Sequence, residues 1–136
     1  MNTDYHAIAS EFLGIPYING GRTKEGLDCI GLVHLFCERC GVEIPDSDGS
    51  EYPLDWYWTD PDRFLRGLRQ IGREVPPHHL QPLDLVYFKI GPGVTHVGVM
   101  LDSRQFLHVM IRQVVHVTPL NFRWWQRLAG VRRVTD

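Results

Sequence analysis

Residues 26–33 read "GLDCIGLV", and they decide the fold. Apolar or small side chains at Cys29, Val33, Phe36, Cys37 and Cys40 recur on one helical face, and Gly41 follows as a natural stop. The spacing predicts a helix over 29–40. Asp28 is placed to cap it, because its carboxylate can accept the unpaired N–H groups of the first turn. Upstream, "GIPYINGGRTKEG" (14–26) holds Pro16 and four glycines and reads as a turn-rich loop. A thiol thus opens a helix directly after a glycine-rich approach. There the macrodipole and free N–H groups favour thiolate, so Cys29 is expected to titrate well below the ordinary thiol value of ~8.5. Asp28 opposes this unless the cap occupies its charge. A small buried side chain is the plainer account of Cys29, weakened by glycines that let backbone approach a substrate closely.

The rest of the chain divides by period. Tyr5, Ile8, Ala9, Phe12 and Leu13 predict a first helix over 4–13, and "DPDRFLRGLRQIG" (60–72) a short later one. Residues 44–59, "IPDSDGSEYPLDWYWT", fit neither period, as binding loops and lids often do not. Its Trp56, Tyr57 and Trp58 read equally as a sugar- or peptide-binding wall or as a lid on the core. From Leu83 the segments "LDLVYFKI", "THVGVML", "QFLHVMI" and "QVVHVTP" are rich in β-branched and aromatic residues, and "LNFRWWQRLAGVRRV" adds a helical turn and a last strand. Helices followed by an antiparallel meander of about five strands make an α+β fold, a single domain over 1–136.

A net charge of −2 gives no support for nucleic-acid binding, and the longest apolar runs are too short to cross a bilayer. "MNTDYHAIASEF" has neither the basic start nor the apolar run of a secretory signal, so synthesis in the cytoplasm is expected. Three cysteines do not make a disulfide scaffold. "CERC" (37–40) lacks the second pair that a structural zinc would need, and it lies at the wrong end of its helix for redox work, so no metal or cofactor is expected. Arg123, Arg127, Arg132 and Arg133 read as a basic, solvated end, which would also suit polyanionic neighbours.

A nucleophilic thiol needs a base and a group that orients the base. Of seven histidines, His6 and His34 lie on helices, and His78 and His79 follow Pro76-Pro77 in a loop. His96, His108 and His116 lie in strands, where a buried imidazole needs a partner. His96 and His108 can serve each other if the register allows. A two-residue loop at Ser103-Arg104 puts the two rings on opposite faces. A three-residue loop, Asp102 to Arg104, sets Gly98 opposite His108 and makes His96 and His108 diagonal neighbours, roughly 7–8 Å apart at the backbone.

These residues resemble a known family. "GIPYINGGRTKEGLDCIGLV", "PLDLVYF", "THVGVML" and "FLHV" are similar to the NlpC/p60 cell-wall cysteine peptidases, a papain-like group, over roughly residues 5 to 134. The short form, with a "YPLDW"-like segment and a late "WWQR", is most similar to peptidases encoded with phage or prophage tails. The resemblance implies a papain-like, partly open barrel. It implies Cys29 as nucleophile, His96 as general base and then acid, His108 as orienting residue, and Tyr17 with the Cys29 N–H at the oxyanion. It implies a peptide of peptidoglycan as substrate, with tail proteins as partners and action on the cell wall. Many members carry Ser after the cysteine, which with the preceding acid holds a free amino end. Ile30 stands there, leaving Asp28 alone for that task. Two other readings remain: a catalytically silent adaptor of a tail assembly, and a thiol acyltransferase that would use Ile30 in an apolar groove.

Overall fold

A computed structural model describes residues 3–45, 60 and 62–135. The first helix, α1 (Tyr5–Ala9), is capped by Asp4, which accepts from the Ala7 N–H at 3.1 Å. It is shorter than its periodicity predicts. From Glu11 the bonds tighten to i→i−3, Glu11 to Ile8 and Phe12 to Ala9, and Gly14 turns the chain at φ +86°. Phe12 is still buried, so the apolar spacing reports the core contact and not the helix length.

The glycine-rich loop is more ordered than expected. It contains a two-stranded ribbon, β1 (Arg22–Thr23) with β2 (Gly26–Leu27), in the register Arg22↔Leu27 and Thr23↔Gly26. Helix α2 (Cys29–Arg39) follows at once. It ends as read, with Gly41 at φ +84°. The Val42 N–H bonds to the Cys37 carbonyl and the Gly41 N–H to that of Glu38, which closes the helix in a Schellman motif. Gly31, in the first turn, lies against the loop: a Cβ there would run into the Gly21 carbonyl oxygen. Helix α3 (Arg63–Leu68) buries Phe64 and Leu68.

The main sheet is open and antiparallel, with six strands where about five were expected: β3 (Arg73–Val75), β4 (Leu85–Ile90), β5 (Gly93–Met100), β6 (Gln105–His108), β7 (His116–Pro119) and β8 (Leu128–Arg133). The meander β4–β7 is as read. Helix α4 (Phe122–Arg127), capped by Asn121, carries the chain back so that β8 inserts between β4 and the edge strand β3. This insertion overturns the reading of a solvated basic end. Arg132 is buried and donates to the carbonyls of Ile71 (2.8 Å) and Gly72 (2.9 Å). Arg133 grips the buried carboxylate of Asp84 with two bonds, at 2.9 and 2.8 Å. Arg123 and Arg127 do remain exposed.

Strand alternation divides the core in two. Leu85, Tyr87, Val97, Val99 and Leu107 pack against Phe12, Leu32, Phe36, Phe64 and Leu68 of the helical side. Val86, Phe88, Met100, Phe106 and Val131 form a second core with Leu80, Leu120 and Trp124.

Candidate active site

Asp28 anchors the start of α2. Its carboxylate accepts from the Gly31 N–H (2.8 Å), the Gly20 N–H (2.9 Å) and the Arg22 guanidinium (2.8 Å), and it is 2% exposed. Arg22, which the sequence reading passed over, ties the ribbon to the helix and balances the charge beside the thiol.

Cys29 sits in the helical-side core with Val97, whose N–H belongs to the peptide that follows His96 and, with the N–H groups of Ile30 and Cys29 itself, favours the thiolate. Burial first and the Asp28 charge second push its thiol up to about 12. The expectation of a depressed value is therefore reversed: the helix start supplies N–H groups, but depth in the core outweighs them. Tyr17, held by its N–H to the Gln113 carbonyl, is raised as well, by burial and by the neighbouring Cys29 and Asp28. It stays a phenol at neutral pH. Ile30 lines a small apolar cavity of about 30 Å³ with Val33, Phe64, Leu68, Ile71 and Val97. Trp56 and Trp58 lie outside the described residues.

The two strand histidines meet. Val99 pairs with Leu107 and Met100 with Phe106, which is the register of the three-residue loop. Asp102 holds that loop by accepting from the Arg104 and Gln105 N–H groups, and it also bonds His6 at 2.7 Å. Beyond the end of this short ladder, His96 Nε2 and His108 Nδ1 lie 2.9 Å apart, so side chains join the strands where backbone bonds stop. Gly98 allows it, since a Cβ there would press on Phe106 and His108. Both rings are buried, at 4% and 1% exposure. Phe88 stacks on His96, and Trp124 covers both imidazoles, with centroids at 5.8 and 5.1 Å. Burial lowers His96 to about 3 and His108 to about 2, so both rings are neutral across the physiological range. The far nitrogen of His108 meets Thr118 Oγ1 at 2.8 Å, and His116 packs on its face at 4.4 Å.

Val97, next to His96 in β5, shares the core cluster of Cys29. Among the described residues, the hydrogen bonds include none between the Cys29 sulfur and His96. His6, His34, His78 and His79 lie elsewhere: His34 bonds the Ile44 carbonyl, and His78 and His79 are exposed. The described residues contain no cluster of three or more metal-ligating side chains. Thr118 and Trp124 were missed by the sequence reading. Thr118 shares the alternation of His116, which places it on the same face of β7, and that signal could have found it.

Two curated relatives and two solved structures mark the ancestry. The chain is 30% identical over 127 residues to a protein of Escherichia coli (strain K12) named murein DD-endopeptidase MepS/murein LD-carboxypeptidase, covering 92% of this chain and 58% of that one. It is 28% identical to the gamma-DL-glutamyl hydrolase of Bacillus subtilis (strain 168), covering 92% of this chain and 27% of that one. The chain thus spans from about a quarter to somewhat over half of these relatives. An NlpC/P60 family protein from Bacillus cereus ATCC 10987 superposes with a TM-score of 0.74 at 28% identity, over 98% of this chain and 40% of the other. RipD from Mycobacterium tuberculosis, described as a non-catalytic NlpC/p60 domain protein, shares the fold with a TM-score of 0.64 at 20% identity, over 97% of this chain and 95% of the other. The model of the NlpC/P60 family matches residues 14–133, and the chain belongs to that family.

Proposed function

We propose that the domain is a cysteine peptidase that hydrolyses an amide bond in the peptides of bacterial peptidoglycan. The observation that carries this reading is the buried His96–His108 pair, joined at 2.9 Å next in sequence to Val97, which shares the core cluster of Cys29.

The chemistry follows from the order of these groups. Thiol and imidazole are each neutral at rest, because burial opposes either charge alone. Transfer of the proton from Cys29 to His96 creates both charges together, so that each compensates the other. The sulfur adds to the substrate carbonyl, and its oxyanion is met by the Cys29 N–H and the Tyr17 hydroxyl. Removing one such donor typically costs about 2.7–4 kcal/mol in the barrier. His96 then protonates the leaving amine, the C–N bond breaks, and water hydrolyses the remaining thioester with His96 as base. Sulfur and imidazole, which share no hydrogen bond at rest, come into one as the substrate seats.

The adaptor reading draws on RipD, whose fold is described as non-catalytic. Against it, a buried imidazole pair is costly to retain and serves no packing need that Leu or Phe would not meet better. The acyltransferase reading needs a groove for an acyl chain. The cavity beside Ile30, at about 30 Å³, is well below the ~150 Å³ of a cavity that takes up benzene. Delivery by a phage or prophage tail draws on the resemblance carried by the late Trp124–Arg127 segment. Immunodetection in purified tail particles tests it. The peptidase itself is tested by digesting purified peptidoglycan and identifying the released peptides by mass spectrometry.

A further inference from the structure

The pair of imidazoles does not end at His108. Its Nε2 lies 2.8 Å from the hydroxyl of Thr118, on the next strand, while its Nδ1 faces His96. The strand register explains the reach: His108 pairs with His116 and Phe106 with Thr118, so Thr118 is the diagonal neighbour of His108 on the same face. His116, directly opposite, has its Nδ1 committed to the Val114 carbonyl at 2.8 Å and offers His108 a ring face instead. Threonine is stiff at χ1, so its hydroxyl is held in place.

Two arrangements of protons satisfy both contacts. In one, Thr118 donates to His108 Nε2, His108 Nδ1–H donates to His96 Nε2, and the remaining proton of His96 sits on Nδ1. That arrangement commits the one unprotonated nitrogen of His96, Nε2, to His108 and leaves none for the thiol. In the other, His108 donates Nε2–H to Thr118 Oγ1 and accepts at Nδ1 from His96 Nε2–H. His96 Nδ1 is then bare and able to take a proton.

We propose that Thr118 is a positioning residue that fixes His108 as the Nε2–H tautomer and thereby keeps His96 Nδ1 free as the base. The inference rests on the reading of His96 as the base for Cys29, and it extends the pair to a chain of three side chains.

The test uses the whole chain with its imidazoles labelled by ¹⁵N. The shifts of the two His108 nitrogens are compared in wild type, Thr118→Val and Thr118→Ser, alongside kcat and KM on soluble peptidoglycan peptides. Valine keeps the shape and removes the acceptor; serine keeps the acceptor. Wild type and T118S are expected to hold His108 as Nε2–H, with T118V losing that form. T118V is expected to lower kcat on the order of tenfold with KM unchanged, the loss of one neutral hydrogen bond, and T118S to restore most of it. A wild-type His108 protonated on Nδ1, or an unchanged Nε2–H tautomer in T118V, overturns the inference. The tautomer readout needs no turnover. A protein that cleaves no peptidoglycan, yet shows the T118V switch, retires the peptidase reading and leaves standing the assignment of Thr118 as the group that fixes the His108 tautomer. An active enzyme whose tautomer ignores T118V does the reverse.

Discussion

Arg22→Leu is the perturbation that most directly tests how the start of α2 is held. Arg22 donates to Asp28 at 2.8 Å and to the Gly21 carbonyl at 2.9 Å, so it fastens the ribbon to the helix. Asp28 is almost wholly shielded, its side chain 3% exposed, while Arg22 is 24% exposed. Removing one partner of a buried pair costs about 3–5 kcal/mol, and a hydrogen bond to a charged group about 1.5–3. The partial exposure of Arg22 and the two backbone donors left on Asp28 put the expected loss near the lower range, about 3 kcal/mol. At roughly 2.1 cal/mol/K per residue, a chain of 136 residues has an unfolding entropy of about 0.29 kcal/mol/K, so the melting temperature should fall by about 10 °C. Calorimetry of wild type, R22L, Asp28→Asn and the double variant measures it. The double variant should be less destabilised than the sum of the singles, with a coupling above about 1 kcal/mol. A melting point within 2 °C of wild type, or additive singles, would refute the reasoning. The same variant removes the charge that balances Asp28 and should push the Cys29 thiol further up.

Two further outcomes follow from burial. His96 and His108 have folded values near 3 and 2, below the unfolded value near 6.5, so the unfolded chain binds their protons first as pH falls. Their contribution to stability is complete above about pH 6.5 and is lost on acidification towards the folded values, by about 2 kcal/mol per imidazole at pH 5. Urea unfolding at pH 8 and pH 5 should show this loss, reduced in His108→Gln. The buried thiol at about 12 is only ~10⁻⁵ thiolate at pH 7, against about 3% for an ordinary cysteine. In a Cys40→Ser background, Cys29 should therefore alkylate with iodoacetamide on the order of a thousandfold more slowly than a free thiol. Half-maximal alkylation below pH 8 would overturn this account of the resting site.

What the sequence made legible was local. The Asp28 cap, the face of α2, the Gly41 stop and the β4–β7 meander each depend on neighbours within a few residues, and the three-residue loop decided the histidine register. What it hid was set at a distance. The fate of Arg132 and Arg133 follows from β8 inserting beside β3, which no period announces. The Arg22–Asp28 pair depends on the ribbon folding back onto the helix. The state of Cys29 was misread because helix position is local, whereas depth of burial belongs to the whole packing around Val97. The wall or lid expected of Trp56, Tyr57 and Trp58 falls outside the described residues.

The central claim is tested by mass spectrometry of purified peptidoglycan incubated with wild type and with Cys29→Ala. Released peptides bearing a newly formed carboxyl end with wild type, and none with Cys29→Ala, are the predicted result. Identical products from the two proteins, or none from either, would contradict the account.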